Sequence, residues 1–387
     1  MTEQSAPNPA CPPVAENPDL HSLTTCTPSQ TPNSEDWRPL VVFQARGLDF
    51  FWILLRNLVF TILTLGIYAF WAKVRRRAFL WSSTRILGEP LEYTGTGKEL
   101  FISFLIVMGC FVLLALVQTL LVLLHPLAGL VLYVGLLYAI HFASYRTIRY
   151  RLTRTRWRGI RGNLDGSAAR YALKAFGYTL AVVGTLGILG PWCTSNLVSL
   201  QINNAFLGTR RLSFNGPPRE LYFAYFITLF AIIGLLGAGA VIIYYNLQDV
   251  MQTVKQAADA SDPHFNAAFF TIAGVSAVLS VALTLVGAIY QAAFARWYFG
   301  HLSFGAMQLR STLTAGALAK LYLVNMLLLV FTLGIAYPWV CLRTLSVPLN
   351  RIDYKGDPDL GRLFQDVMPA PKRGEGLLEA LDIDIAM

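Results

Sequence analysis

The sequence predicts an all-α, polytopic membrane protein with about seven transmembrane helices in inverted three-helix repeats. Three observations carry this expectation: long charge-free apolar windows, a phrase that occurs three times, and an odd number of spans between its copies. Of 387 residues, 55% are hydrophobic and only 14% charged, where a soluble domain carries about a quarter charged. Mean hydropathy is +0.50, and the charge deficit is concentrated in windows long enough to cross a bilayer. The phrase is Thr-Leu-Gly-Ile followed by a Trp. It runs Thr64 to Trp71, Thr185 to Trp192 and Thr332 to Trp339, each time closing an apolar run.

Seven windows reach the roughly 20 apolar residues that cross hydrocarbon. They are about residues 50–72, 100–124, 127–145, 171–193, 221–247, 265–295 and 321–342. Helices are required, because lipid cannot satisfy backbone polar groups. Thr64 and Thr185 lie 121 positions apart, and the same shift carries Trp71 onto Trp192 and Glu99-Leu100-Phe101 onto Glu220-Leu221-Tyr222. A shift of 268 carries Thr64 onto Thr332, Asn57 onto Asn325 and Trp71 onto Trp339. The expected layout is a disordered Pro-rich tail (1–39), repeat 1 (40–145), repeat 2 with a basic loop (146–295), a partial repeat 3 (296–360) and a C-terminal tail (361–387). Three spans per repeat is odd, so consecutive repeats face opposite ways, as in many transporters. After each phrase comes an apolar–polar–aromatic–polar–Gly pattern (Tyr93/Gly95, Phe214/Gly216, Tyr354/Gly356), whose period of two suggests a short strand turned by Gly.

The net charge of +9 does not point to nucleic acid. The cations flank apolar spans, and no basic stripe with stacking aromatics stands free of them. The positive-inside rule explains them. An outside N-terminus and a cytoplasmic C-terminus put most Lys and Arg inside, among them the eight arginines between Arg146 and Arg170. No signal peptide is expected, since residues 1–36 lack an apolar core segment. The five cysteines contain no Cys-x-x-Cys pair, and Cys11 and Cys26 could pair only if the tail lies outside the cytoplasm. The histidines lack metal-ligand spacing, and no nucleophile elbow, phosphate loop or dinucleotide fingerprint is present. Neither catalytic residues nor cofactor nor metal are expected, and the chain is not read as an enzyme.

Particular residues fit membrane roles. Gly66, Gly187 and Gly334 allow close helix approach, and Asn57 and Asn325 are candidates to pack helices or line a pore. Trp71, Trp192 and Trp339 suit the headgroup region as anchors. Candidate contacts to anionic lipid headgroups or other anions are Arg56, Arg75, Arg76, Arg77, Arg154, Arg156, Arg158 and Lys174. The bilayer and anionic lipids are thus the expected partners. No Asp or Glu lies inside a span, which argues against a carboxylate relay.

The runs Leu65-Gly66-Ile67-Tyr68-Ala69-Phe70-Trp71-Ala72-Lys73-Val74-Arg75 and Gly88-Glu89-Pro90-Leu91-Glu92-Tyr93-Thr94-Gly95 resemble the YjgN-like family of bacterial inner-membrane proteins. Arg154-Thr155-Arg156-Trp157-Arg158-Gly159-Ile160-Arg161 and Leu164-Asp165-Gly166 match its pattern too. The resemblance covers about residues 40–360. Gly162, where the pattern has an aromatic, departs from it. It implies a multi-pass inner-membrane protein and no activity, because the family is defined by a domain of unknown function. The leading functional expectation is a transporter or channel for an unidentified solute. The alternative is a non-catalytic membrane scaffold or assembly partner.

Overall fold

The structure is a computed structural model and describes residues 36–124, 128–256 and 263–357, with side chains placed outside 124–131 and 249–269. Most of the expected N-terminal tail, including Cys11 and Cys26, and all of the C-terminal tail lie outside the described residues.

Helices dominate, in pairs. The pairs are α1 (Gly47–Leu63) with α2 (Ala69–Ser82), α3 (Gly97–Leu124) with α4 (Ala128–Arg154), α5 (Ala168–Gly184) with α6 (Gly190–Ile202), α7 (Arg219–Gln256) with α8 (Pro263–Gly300), and α9 (Ala315–Phe331) with α10 (Tyr337–Leu349). Each helix packs mainly on the helices before and after it in the chain, and α10 packs on α1.

Short strands flank every pair, so the all-α expectation is corrected. They are β1 (Arg38–Pro39), β2 (Val41–Phe43), β3 (Thr84–Ile86), β4 (Glu89–Tyr93), β5 (Thr155–Trp157), β6 (Ile160–Leu164), β7 (Ala205–Leu207), β8 (Arg210–Arg211), β9 (Ser213–Phe214), β10 (Leu302–Phe304), β11 (Met307–Ser311) and β12 (Ile352–Lys355). One sheet runs β2-β3-β4-β5-β6-β7-β8 and the other β1-β12-β11-β10-β9. The two join at both ends. Leu40, between β1 and β2, donates its N–H to Ile352 O at 2.8 Å and accepts from Leu87 N at 3.0 Å. Leu212, between β8 and β9, donates to Ala205 O at 2.9 Å. The strands therefore form a closed circuit in chain order, with antiparallel neighbours throughout. Closure removes the open sheet edge that would otherwise invite aggregation.

This circuit overturns the inverted repeat. In a ring of antiparallel neighbours alternate strands are parallel, so β2, β4, β6, β9 and β11 all point the same way. Each of them feeds an outgoing helix, so every helical pair leaves the ring in the same sense and returns to it. From Thr64 to Thr185 the chain completes whole out-and-back pairs, which leaves consecutive units in one orientation. The ends of the described chain also meet, for Arg38 is the strand partner of Tyr354. The described ends therefore lie on one side of the molecule, which gives no support to the expected outside N-terminus with a cytoplasmic C-terminus.

The span count changes for a related reason. Among the described residues, three helices are long and apolar enough to cross a membrane: α3 over Gly97–Leu123, α7 over Arg219–Gln248 and α8 over Phe270–Gly300. The windows expected at residues 50–72, 171–193 and 321–342 each contain a chain reversal at the Thr-Leu-Gly-Ile phrase.

The apolar strand face meets the helix bases. Ile202, Phe214, Leu221, Trp297, Leu302, Met307 and Leu309 form one buried cluster, and Tyr145, Leu164, Tyr171, Ala175 and Ala205 another. Phe50 is fully buried between Phe43, Phe79 and Leu342.

Candidate functional site

The three Thr-Leu-Gly-Ile reversals share one geometry. Leu65, Leu186 and Leu333 have φ of 50°, 50° and 48°, and the glycines that follow, Gly66, Gly187 and Gly334, have φ of 94°, 92° and 86°. Two successive left-handed residues end a helix as a Schellman turn does. The amide of Gly66 reaches back to Thr61 O at 2.8 Å, that of Gly187 to Val182 O at 2.7 Å and that of Gly334 to Leu329 O at 2.8 Å. The threonine hydroxyl serves both legs. Thr64 Oγ1 donates to Phe60 O at 2.7 Å and accepts from Tyr68 N at 2.9 Å. Thr185 does the same with Ala181 O and Leu189 N, and Thr332 with Leu328 O and Ala336 N. The last turn of one helix and the first amide of the next are satisfied without water, which is what hydrocarbon demands. All three glycines supply a backbone conformation, and only Gly187 also has the close helix contact expected of them, with Tyr225 of α7 bonding its carbonyl at 2.8 Å. Nothing lies within 4 Å of a Cβ built on Gly66 or Gly334.

The leucines stand out at these tips. A left-handed L-residue costs about 1–2 kcal/mol, and glycine or asparagine would relieve it. Each leucine is instead almost wholly uncovered by protein: Leu65 95%, Leu186 89% and Leu333 92% exposed. Ile67, Ile188 and Ile335 beside them are exposed as well. In water this arrangement is unfavourable on both counts. In lipid, transfer of one leucine side chain is worth about 1.5–3 kcal/mol, enough to offset the strain.

A cation marks the lower limit of each apolar cap. Exposed Arg56, Lys174 and Lys320 lie on the outgoing legs. They stand 7, 10 and 11 residues before the helix ends at Leu63, Gly184 and Phe331, or about 10–17 Å at 1.5 Å per residue. Half of the hydrocarbon core is about 15 Å.

The expected pore-lining pair does not converge. Asn57 Nδ2 donates to Ala72 O at 3.3 Å and Asn325 Nδ2 to Thr344 Oγ1 at 3.0 Å. Both bonds join the two legs of a single hairpin, and the buried Oδ1 of each residue has no hydrogen-bond partner. At the register of Asn57 and Ala72, the α5/α6 hairpin has Cys193 Sγ on Tyr178 O at 3.7 Å.

The tryptophans stand on the return legs, partly covered by neighbouring elements. Trp71 lies 6.0 Å from Phe101, Trp339 5.7 Å from Phe51 and Trp192 5.4 Å from Tyr178. Gly97 and Gly47 are required at the helix starts because a Cβ there would overlap Trp71 and Trp339.

The basic residues divide. Arg154 is drawn inward to Glu99 at 2.8 Å, and Tyr150 donates to the other Glu99 oxygen at 3.1 Å. Burial, then Tyr93 and Glu99, push the Tyr150 phenol upward, which keeps it a neutral donor. Arg149 donates to Gly166 O, and Tyr145 to Asp165 O. Arg77 is buried, Arg75 lies 5.8 Å over Tyr68, and Arg76 approaches Cys341. The run expected as a basic loop is the end of α4 followed by a strand hairpin, β5 and β6, turned at Arg158-Gly159 with φ of 52° and 78°, and the start of α5. Its polar face sets Glu92, Arg156 and Arg161 side by side across β4, β5 and β6. Farther round, Arg211 stacks on Phe206 at 4.7 Å. Arg310 bonds Asp353 at 3.2 Å and lies 4.1 Å over Trp37.

Glu99, Tyr150 and the tip leucines escaped the sequence reading. The signal for the leucines was present as a Leu-Gly pair one residue after a Thr, a helix terminator in the middle of an apolar run. Glu99 shows only as a carboxylate in the first turn of an apolar helix, where it also favours the helix dipole.

The bacterial family described as "Bacterial protein of unknown function (DUF898)" matches residues 38–380. A protein named "Inner membrane protein YjgN" from Salmonella typhimurium is 23% identical over 367 residues, covering 85% of this chain and 91% of its own. Its Escherichia coli K12 namesake is 27% identical over 199 residues, 51% of this chain and 44% of its own. No solved structure matches. The chain belongs to the DUF898 family of bacterial proteins of unknown function, and its relatives are inner-membrane proteins.

Proposed function

We propose that this is a non-catalytic scaffold of the bacterial inner membrane. Its hairpins α3/α4 and α7/α8 cross the bilayer, while α1/α2, α5/α6 and α9/α10 enter one leaflet and turn back. The carrying observation is the trio of strained, exposed leucines on self-satisfied turns. The apolar part of α7, at 30 residues, extends about 45 Å and exceeds the hydrocarbon thickness. The apolar caps of the short pairs reach only about half that thickness.

Charge favours the strand ring as the cytoplasmic side. The reversals at 64–68, 185–189 and 332–336 carry no Lys or Arg, and the stretch between the cores of α7 and α8 carries Lys255 alone. The strand-side segments hold Arg38, Arg46, Arg85, Arg156, Arg158, Arg161, Arg210 and Arg211. Cations retained on one side mark the cytoplasm, so both termini are cytoplasmic in this reading. The same cations suit anionic headgroups, at about 1 kcal/mol each near the surface. A solute pathway finds less support, since Asn57 and Asn325 are engaged in separate hairpins.

Site-directed labelling tests the reading. In a cysteine-free background, Leu65→Cys, Leu186→Cys and Leu333→Cys are expected to resist a membrane-impermeant maleimide from either side. Thr209→Cys, in the β7–β8 turn, labels only from the cytoplasmic side. Periplasmic labelling of the tip cysteines would sink the half-depth assignment.

A further inference from the structure

We infer that the three short hairpins act as a wedge, so that the protein collects where the membrane is convex toward its strand ring. The inference rests on the one-leaflet insertion proposed above and adds a preference among membranes. Its origin is an imbalance of area. The crossing pairs add the same cross-section to both leaflets. The short pairs add six helices to one leaflet alone, and a helix with side chains is about 10 Å across, so the excess is on the order of 500 Å². That excess is not placed at one edge. The short pairs are the first, third and fifth around the ring: the third stands between the two long pairs, and the fifth and first adjoin through α10 and α1.

The tips have the character such an insertion needs. Leu65, Leu186 and Leu333 stand free of protein, and on the outgoing legs no charged side chain lies between the cap cations and the turns, Arg343 on the return leg α10 standing about level with Asn325. Apolar groups set into one face of a bilayer bind more strongly where that face is stretched, which makes shallow insertion sensitive to curvature. A leaflet already expanded by bending accepts the short pairs with less crowding of its lipids.

The test uses the full chain, fluorescently labelled and reconstituted into small and large vesicles of phosphatidylethanolamine and phosphatidylglycerol. Orientation is scored by access of an impermeant reagent to Thr209→Cys. Molecules with the ring outward are expected to be enriched several-fold, per lipid, in small vesicles, and molecules with the ring inward to be depleted. The two orientations of one protein control each other, so the result does not depend on a variant folding. The variant L65N/L186N/L333N keeps a residue that accepts left-handed φ and is expected to lose the enrichment. Equal density across sizes, with brominated-lipid quenching still placing the tips in one leaflet, overturns the wedge and leaves the insertion standing. Tips that label from the far side overturn both. Tips that photo-crosslink to a second copy rather than to lipid, without size preference, also overturn the wedge.

Discussion

The hairpins α1/α2 and α7/α8 begin alike, each leaving a strand of the same ring with a carboxylate in the first turn, Asp49 and Glu220. They end differently. The first turns within five residues and exposes Leu65, Ile67 and Leu63. The second continues for 38 residues per leg, and the six residues between the legs include Asp259, Ser261 and Asp262. A chain that reverses inside hydrocarbon must satisfy its own backbone, and Thr64 with Gly66 does so. A chain that has crossed can leave this to water and needs no such phrase. In the proposed arrangement the Thr-Leu-Gly signature is therefore informative about depth: it belongs where a helix pair stops short.

Far-side labelling draws the sharpest line between the two. Ser261→Cys is expected to label fully from the periplasm and Leu65→Cys not at all, an all-or-none contrast in spheroplasts. If both label, the short pairs cross as well and the distinction disappears.

The turn chemistry gives the next largest effects. Thr64→Val leaves the Tyr68 amide without its acceptor in a dry site, a loss of about 1–3 kcal/mol, while Thr64→Ser retains the bond. Thermal unfolding in detergent micelles should rank the serine variant near wild type. Gly66→Ala and Gly334→Ala meet only backbone strain, about 1–2 kcal/mol. Gly187→Ala is expected to cost more than either, because its new Cβ would stand 3.0 Å from the Tyr225 hydroxyl, which hydrogen-bonds Gly187 O at 2.8 Å. Equal losses at all three glycines would show that the Tyr225 contact does not restrict the turn.

Smaller effects belong to the polar ties. Glu99 and Arg154 are 37% and 21% exposed at the side chain, so solvent screens the pair and Glu99→Gln should change stability by about 1 kcal/mol or less. Asn57→Leu removes one interhelical bond and an unpartnered buried oxygen together, for a net change of about 0.5 kcal/mol in either direction. A much larger loss would mean that Asn57 does more than join its own hairpin.

Composition and hydropathy alone identified a membrane protein, since lipid compatibility depends on which atoms a segment carries and not on how it folds. The threefold phrase was equally legible, and so was the short strand ending at Tyr93, where alternation precedes Gly95. Direction was not. A Leu-Gly reversal and a continuous apolar helix have the same hydropathy, so residues 50–72 read as one span until Leu65 and Gly66 took positive φ. That one misreading turned an even number of helices into an odd one and produced the inverted repeat. Ring closure was equally hidden. It depends on Leu40 and Leu212 each bonding at the junction of two sheets, and on Arg38 finding Tyr354 at the other end of the chain. Sequence fixes local chemistry within a few residues, whereas hydrogen bonds between strands hundreds of positions apart exist only once the helices between them have folded back.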